Sequence, residues 1–429
     1  MSKSATNRVG RWARRAAIAA VAIAGVTAAV PAGASPAPGT GRLHPAAPAG
    51  GPATGRTATV GTAGLPQVVR QGTRLRQVDP ANPSQFLTGA YRFTGVNAYE
   101  VNSLWSMNVG CGPELSDAQL DAVFAGIGPG GVMRAWFFQQ MATNKYSGTL
   151  DWTALDRTVA AAQAHRVRLI ATLGNQDGTC DDGVWKGPGW YSRGYAQPVR
   201  AGGFLTLSYR QWVKMVTGRY ATSPAILAWE PMNEPRPDTC TVAGDCWANR
   251  VCPDPLTARS SLRIFFGAIG TVIRSHDPNH LISDGAPPVQ GCGTVTWADL
   301  AYVDSSPGVD LVSYHEYDGA TPMSTANVAA WSVLTTAVAK PVFAGENGNL
   351  DAIPTAAVGA ACPVQGERST AYAGEISTDF AQLPALAGWL FWNAMPPPVS
   401  AVPTCTYATW PTDPLMAMLR AEGDQLNSR

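Results

Sequence analysis

From about residue 91 onward, short apolar runs alternate with longer stretches in which apolar residues return every three or four positions. An uninterrupted apolar run rich in β-branched and aromatic residues is the pattern of a strand buried on both faces, and the longer return is that of an amphipathic helix. The runs Tyr91 to Asn97, Val132 to Phe137, Val167 to Leu173, Ala225 to Met232, His280 to Asp284, Val309 to His315, Pro341 to Glu346 and Ala387 to Trp392 predict eight strands. The periodic stretches predict helices over Ser116 to Ile127 with Ser116 as N-cap, Trp152 to His165, Phe204 to Ala221, Leu256 to Ser275, Ser324 to Ala339 and Arg368 to Leu383. A shorter helix is expected near Trp297 to Val303 and a last one near Asp413 to Glu422. Strand and helix in regular alternation predict an α/β fold, a (β/α)8 TIM barrel, with a doubly wound sheet as the alternative.

The barrel expectation can be examined within the sequence, because sites on that fold gather at the C-terminal ends of the strands. The residues there are Asn97, Arg134, Asn233 with Glu234, His315 with Tyr317, Glu346 and Trp392. Two of the runs, Ala228 to Pro235 and Pro341 to Gly348, carry a glutamate at the strand tip. A carboxylate at the end of a buried strand is costly without a partner or a task, and two of them point to paired-carboxylate chemistry, of which glycosidic bond cleavage is the leading example. Glu230 shares strand parity with Glu234 but lies deeper, which marks it as a buried structural partner. Arg134 beside Glu346 favours the ionised form of that carboxyl, and like-charge repulsion with partial burial is expected to raise the pKa of Glu234 so that it keeps a proton.

Composition refines the picture at the ends. Lys3, Arg8, Arg11, Arg14 and Arg15 precede an apolar run from Ala16 to Val30, and Ala32-Gly33-Ala34 offers a small-residue cleavage site, so residues 1–34 read as a secretory signal peptide. Residues 35–64 are a Pro/Ala/Gly-rich linker or propeptide too poor in large apolar groups to form a core. Residues 65–429 form a single catalytic domain. The chain is expected to be secreted, extracellular and monomeric, with no membrane association after signal cleavage. A formal charge of +1, with no basic run in the mature part, gives no reason to expect nucleic acid as a partner.

Eight cysteines in an exported chain read as disulfides. On the barrel map all of them fall in loops after strands, and neighbouring loops suggest Cys111 with Cys180, Cys240 with Cys246, Cys252 with Cys292, and Cys362 with Cys405. No metal and no cofactor is expected: the cysteine and histidine spacings fit no zinc site, and Asp177, Asp181 and Asp182 lack the spacing of a calcium loop and read instead as a polar cleft wall. Trp190, Tyr191, Trp247, Trp297 and Trp410 also fall in loops, as sugar-stacking platforms or as rim packing.

Taken in order, Gly95-Val96-Asn97, Met133 to Trp136, Trp229 to Pro235, His315 to Tyr317, Gly345-Glu346 and Trp389 to Asn393 resemble the pattern of glycoside hydrolase family 5, the cellulase and mannanase family of clan A. The resemblance implies Glu234 as acid/base and Glu346 as nucleophile of a retaining enzyme. It implies Asn233 on the sugar 2-hydroxyl, Arg134 paired with the nucleophile, His315 and Tyr317 orienting substrate and nucleophile, Asn97 in the substrate site, and Trp392 as the floor of the −1 subsite. Val68 to Thr73 and Leu169 to Asn175 are similar to the family's endo-β-1,4-mannanases, whereas Glu316 and Asp318-Gly319 depart from them after strand six. The expected substrate is a β-linked polysaccharide or oligosaccharide, with endo-β-1,4-mannanase leading and endo-β-1,4-glucanase or exo-acting β-mannosidase or β-glucosidase open. A non-catalytic carbohydrate-binding barrel is the alternative of another class. No G-x-S-x-G elbow supports a serine esterase, and no lysine ends a predicted strand, as Schiff-base chemistry would need.

Overall fold

The computed structural model describes residues 65–87, 89–108, 111–201, 204–317, 320–348, 365–395 and 409–428. Residues 1–34 and 35–64, expected as a signal peptide and a linker or propeptide, and the expected Cys362 with Cys405 pairing lie outside the described residues.

Eight parallel strands run in the order of a barrel: β1 Phe93–Asn97, β2 Val132–Trp136, β3 Arg168–Thr172, β4 Ile226–Glu230, β5 Leu281–Ile282, β6 Val312–Glu316, β7 Val342–Asn347 and β8 Leu386–Phe391. Each pairs with its sequence neighbour, and β8 returns to β1 through Gly388 opposite Phe93. The ring closes between β5 and β6 by a parallel bridge from Ser283 to Leu311. Among the described residues, eight helices of eight residues or more cover the outside: α1 Asp117–Ile127, α2 Thr153–His165, α3 Tyr209–Tyr220, α4 Pro255–His276, α5 Trp297–Asp304, α6 Thr325–Val338, α7 Gln365–Gln382 and α8 Pro414–Ser428. The predicted (β/α)8 barrel is the fold observed, with every predicted strand and helix matched by an element.

The helix starts follow from the sequence. Ser116 accepts from the Gln119 N–H while the Gln119 side chain returns to the Ser116 N–H, and Ser208 with Gln211 and Thr296 with Asp299 repeat this capping box. Asp254 caps α4 ahead of Pro255, whose missing N–H costs nothing at that position. The helix expected from Phe204 begins five residues later, because Phe204–Ser208 pairs with Pro198–Ala201 as an antiparallel hairpin and Ser208 is the cap. A second element that the sequence did not announce is the meander Val68–Gln71, Arg74–Asp79 and Asn82–Phe86. It inserts Val68 and Leu75 into the apolar cluster of Tyr91, Phe93, Val132, Ile170, Leu311 and Phe343 and so stoppers the N-terminal end of the barrel. With that end filled, the polar residues of the next layers face the opposite mouth.

Three of the four expected disulfides are present: Cys111–Cys180, Cys240–Cys246 and Cys252–Cys292. The first joins the loop after β1 to the loop after β3, and the third joins the loops after β4 and β5, so loops around the mouth are cross-linked to one another.

Candidate active site

Strand register places the polar residues. Asn97 of β1 lies opposite Arg134 of β2, Thr172 of β3 opposite Glu230 of β4, and His315 of β6 opposite Glu346 of β7. Side chains of one parity point inward, so these groups converge above the apolar plug.

Arg134 is the hub, fully buried beneath the mouth. Its Nε and Nη2 donate to Glu230 Oε1 at 2.8 and 2.5 Å, Nη2 also to Asn233 Oδ1 at 2.6 Å, and Nη1 to Asn97 Oδ1 at 2.9 Å and Glu346 Oε1 at 2.7 Å. Burial works against its charge, but Glu230 and Glu346 outweigh that and hold the guanidinium more firmly protonated than usual. Glu230 is fully buried and spends its remaining capacity on Thr172 Oγ1 at 2.9 Å and Ser283 Oγ at 3.1 Å. It is therefore the structural partner expected from its depth. A buried cation between two carboxylates fixes both by charge-assisted bonds.

Glu234 enters from the end of β4 in a left-handed conformation, with φ of +48°. Its N–H donates to Gly285 O at 2.8 Å. Gly285 can come that close only without a side chain: its φ is +70°, and a Cβ there would lie 1.7 Å from Met232 O. Opposite, the His315 ring fits against Gly345, where a Cβ would approach Nε2 at 3.0 Å. His315 Nδ1 lies 2.9 Å from Glu234 Oε1 and 3.5 Å from Glu346 Oε2. Carboxylate oxygens of Glu234 and Glu346 and a His315 nitrogen all fall within 4.8 Å of one another. The Glu234 side chain is 31% exposed and that of Glu346 5%, so the first faces the open cleft and the second the barrel wall. The Tyr317 hydroxyl donates to Glu346 Oε2. Burial and the charges of Glu346 and Glu234 push that phenol well above its ordinary range, so it remains a donor at all working pH values.

One expectation is reversed. Burial raises the Glu234 pKa as anticipated, but the hydrogen bond and charge of His315, aided by Arg236 and Arg134, outweigh burial and hold the carboxyl below its usual value. His315 moves the other way: burial lowers it, while Glu346 and Glu234 raise it above the ordinary imidazole value. The two shifts favour a carboxylate on Glu234 and a proton on the neighbouring imidazole.

The other expected residues are gathered at the same mouth, with differences in how they are used. Asn97 is buried, its oxygen taken by Arg134 and its amide donating to Gly345 O at 2.8 Å and Phe391 O at 3.3 Å, so it braces strand ends from below. Asn233 gives its oxygen to Arg134 and donates from Nδ2 to Asn175 Oδ1 at 3.1 Å. Trp392 stacks on Tyr99 with ring centroids 5.4 Å apart and planes within 8°, and Trp136 lies 6.0 Å from it. Tyr99 and Asn175 were missed in the sequence because a tyrosine in a short turn and an asparagine after a strand carry no periodic or motif signal.

Of the loop aromatics, Tyr191 is fully buried with its hydroxyl on Gln176, Trp190 packs against Tyr191, Tyr209 and Phe265, and Trp297 packs edge-on against Trp331. These three are rim packing. Trp247 lies under two guanidiniums, with Arg236 at 5.6 Å and Arg250 at 5.4 Å from its ring. In the Asp177 to Asp182 loop the Lys186 ammonium pairs with Asp182 and lies 3.5 Å from Asp181, so a lysine balances the charge a cation would have met.

No family model matches the chain. Among curated proteins it is similar to a probable mannan endo-1,4-beta-mannosidase F of Aspergillus flavus, 28% identical over 242 residues that cover 49% of this chain and 43% of that protein. The mannan endo-1,4-beta-mannosidase F of Aspergillus clavatus is 26% identical over 265 residues, 52% of either chain. The chain spans about half the length of the curated relatives it matches. Among solved structures, the endo-1,4-beta-mannanase of Rhizomucor miehei matches with a TM-score of 0.55 at 18% identity, covering 85% of this chain and 100% of that one. A glycoside hydrolase family 5 mannosidase of the same organism matches with a TM-score of 0.53 at 14% identity, over 85% of this chain and 98% of that one. At these identities the solved structures establish a shared fold.

Proposed function

We propose that the chain belongs with the family 5 glycoside hydrolases and is a retaining β-glycoside hydrolase that cleaves β-linked polysaccharide, with endo-β-1,4-mannanase as the leading assignment. The observation that carries the proposal is the approach of the Glu234 and Glu346 carboxylates to within 4.8 Å, because double displacement needs two carboxyls about 5 to 5.5 Å apart, whereas inversion needs room for a water between them.

In the proposed reaction a Glu346 oxygen attacks the anomeric carbon as the glycosidic C–O bond breaks. Glu234 delivers the proton to the departing oxygen, and the free sugar leaves a glycosyl ester on Glu346. Glu234 then takes a proton from water, whose oxygen attacks the same carbon and releases Glu346, so the configuration is retained. His315, beside Glu234, holds the proton until substrate enters. Arg134 and Tyr317 hold the two oxygens of Glu346 and aim it, Asn233 offers a donor toward the sugar 2-hydroxyl, and Trp392 on Tyr99 gives the sugar ring a flat apolar face. Residues 1–34 as an export signal, 35–64 as a spacer and 65–429 as the catalytic domain complete the proposal, and the three disulfides support an oxidising, extracellular setting.

Incubation with β-mannan, carboxymethyl cellulose, xylan and laminarin in parallel, with product lengths and the first-formed anomer followed by NMR, tests the reading. Mannan oligosaccharides appearing first as β-anomers are expected. Carboxymethyl cellulose as the better substrate would move the assignment to an endoglucanase, and α-anomers first would overturn retention. Binding without turnover of any of them would favour a non-catalytic barrel.

A further inference from the structure

A second buried carboxyl lies behind the wall that carries Glu346. Glu375, on α7, is 1% exposed. Its Oε1 accepts from Asn347 Nδ2 at 2.5 Å and from Trp389 Nε1 at 3.1 Å. Asn347 follows Glu346 in β7, and consecutive strand residues point to opposite faces, so one serves the cleft and the other the helix layer. Trp389 belongs to β8, three residues before Trp392, and the Trp392 N–H donates to Asn347 O at 2.8 Å. One oxygen of Glu375 therefore ties together the tips of the two strands that end in Glu346 and Trp392.

The tie falls where the strand register is irregular. The β7 and β8 register shifts between Ala344 and Asn347, and the β6 and β7 register shifts between Tyr314 and His315. The ladder is irregular on both sides of β7 next to Glu346, at Gly345 toward β6 and across Gly345 and Glu346 toward β8, so the sheet alone does not fix the rotation of that tip. The chemistry requires Glu346 to hold its line of attack within a fraction of an ångström.

We infer that Glu375 is a positioning residue that sets the Glu346 carboxylate through Asn347 and Trp389. The inference rests on the reading of Glu346 as the nucleophile. A glutamate suits this place because it is neutral there: burial and the charges of Asp379 on α7 and Glu316 on β6 push it up to about 9, against the hydrogen bonds from Trp389 and Asn347. Tyr314 of β6 faces the same cluster. A neutral acid accepts both bonds without setting a full negative charge behind a group that must itself be anionic.

The experiment measures kcat and KM of the full chain and its variants on the substrate the wild type turns over best. Glu375→Leu should lower kcat by roughly tenfold to a hundredfold with KM within about twofold, since small misplacements of a reacting group cost rates of this size. Asn347→Ala should show a similar loss, and the double variant should be no slower than the slower single variant, because both break one connection. Glu375→Gln keeps an oxygen for both donors and should retain most of the activity near neutrality. Beyond the basic limb set by Glu234 and His315, wild-type kcat should fall further as pH rises through about 9, and the glutamine variant should lack that further alkaline fall. Folded Glu375→Leu and Asn347→Ala variants with wild-type kcat, or an unchanged alkaline fall in Glu375→Gln, would overturn the inference while leaving the glycosidase reading intact. An inactive wild type overturns both. Should the leucine variant not fold, the asparagine variant and the alkaline profile decide the matter.

Discussion

His315 holds Glu234 through a 2.9 Å contact between Nδ1 and Oε1, and the two groups titrate as one unit. Glu234 is ionised to lower pH than an ordinary glutamate and His315 is charged to higher pH than an ordinary imidazole. The pair's contribution to stability is lost as pH falls through the depressed Glu234 value, below 4.5, and as pH rises through the elevated His315 value, above 6.5. The proton needed for leaving-group departure is the last one the pair gives up. His315→Asn should therefore move the basic limb of the kcat/KM profile down by about one pH unit, the scale on which one neighbouring charge acts. A pH series on a soluble substrate measures this, and an unmoved limb would place the proton elsewhere.

Arg134 serves Glu230 and Glu346 at once, so two substitutions separate its roles. Arg134→Met leaves Glu230 with a fully buried, unpaired charge and should cost about 3–5 kcal/mol in chemical denaturation, the usual penalty for removing one partner of a buried pair. Arg134→Lys keeps the charge but cannot serve Glu230, Asn233, Asn97 and Glu346 together, because an ammonium lacks the planar fork. It should fold with a smaller loss of stability and still lose most of kcat. Equal stability of the methionine variant and the wild type would contradict the hub role.

The sequence foretold the barrel because each buried strand is a continuous apolar run and several helices begin at a capping side chain, as at Ser116, Thr296 and Ser324. The convergence of Glu234, Glu346, Arg134, His315 and Tyr317 was legible for the same reason: each sits at a strand end, and a closed ring brings strand ends together. What was hidden depends on partners far away in sequence. The meander that stoppers the barrel has polar, exposed strands with little pattern, and Phe204–Ser208 carries a run that a helix or a hairpin could adopt. The state of Glu234 was misjudged because burial and the charge of His315 act in opposite directions, and only the distance between the two residues decides which prevails. Glu375 gave no signal, since a lone glutamate on a helix usually faces water.

The disulfides should differ in worth. Cys111–Cys180 closes a separation of 69 residues and Cys240–Cys246 one of 6. In the chain-entropy picture the longer loop constrains the unfolded chain more, by about 2 kcal/mol. Denaturation of the paired Cys→Ser variants should show a larger loss for Cys111 with Cys180 than for Cys240 with Cys246. Equal losses would mean that the bridges act by local bracing of the mouth rather than through the unfolded chain.

A last expectation concerns acids buried away from the cleft. Burial, reinforced by Asp182, pushes Asp181 up to about 7 against the pull of Lys186, while burial alone raises Asp379 to about 6. Asp284 and Asp304 are neighbouring buried acids between sheet and helix, and burial raises the first to about 6 and the second further, the latter reinforced by the charge of Asp284. In each case the native chain keeps a proton that the unfolded chain, with its ordinary value of 3.8, has already released. Stability from these groups is therefore complete below about pH 4 and is lost as pH rises through 6 and 7. Groups with depressed values, among them Asp277 and Asp156, act in the opposite sense and lose their contribution as pH falls below the ordinary carboxylate range. The two trends place the maximum of stability at mildly acidic pH, so the melting temperature should be higher at about pH 5 than at about pH 8.5. Asp304→Asn removes one raised acid and keeps a polar partner for Asp284, so its melting temperature should fall less across that interval. A wild-type melting temperature that is flat or rising from pH 5 to 8.5 would mean that these carboxyls are ionised in the folded state and find cationic partners there.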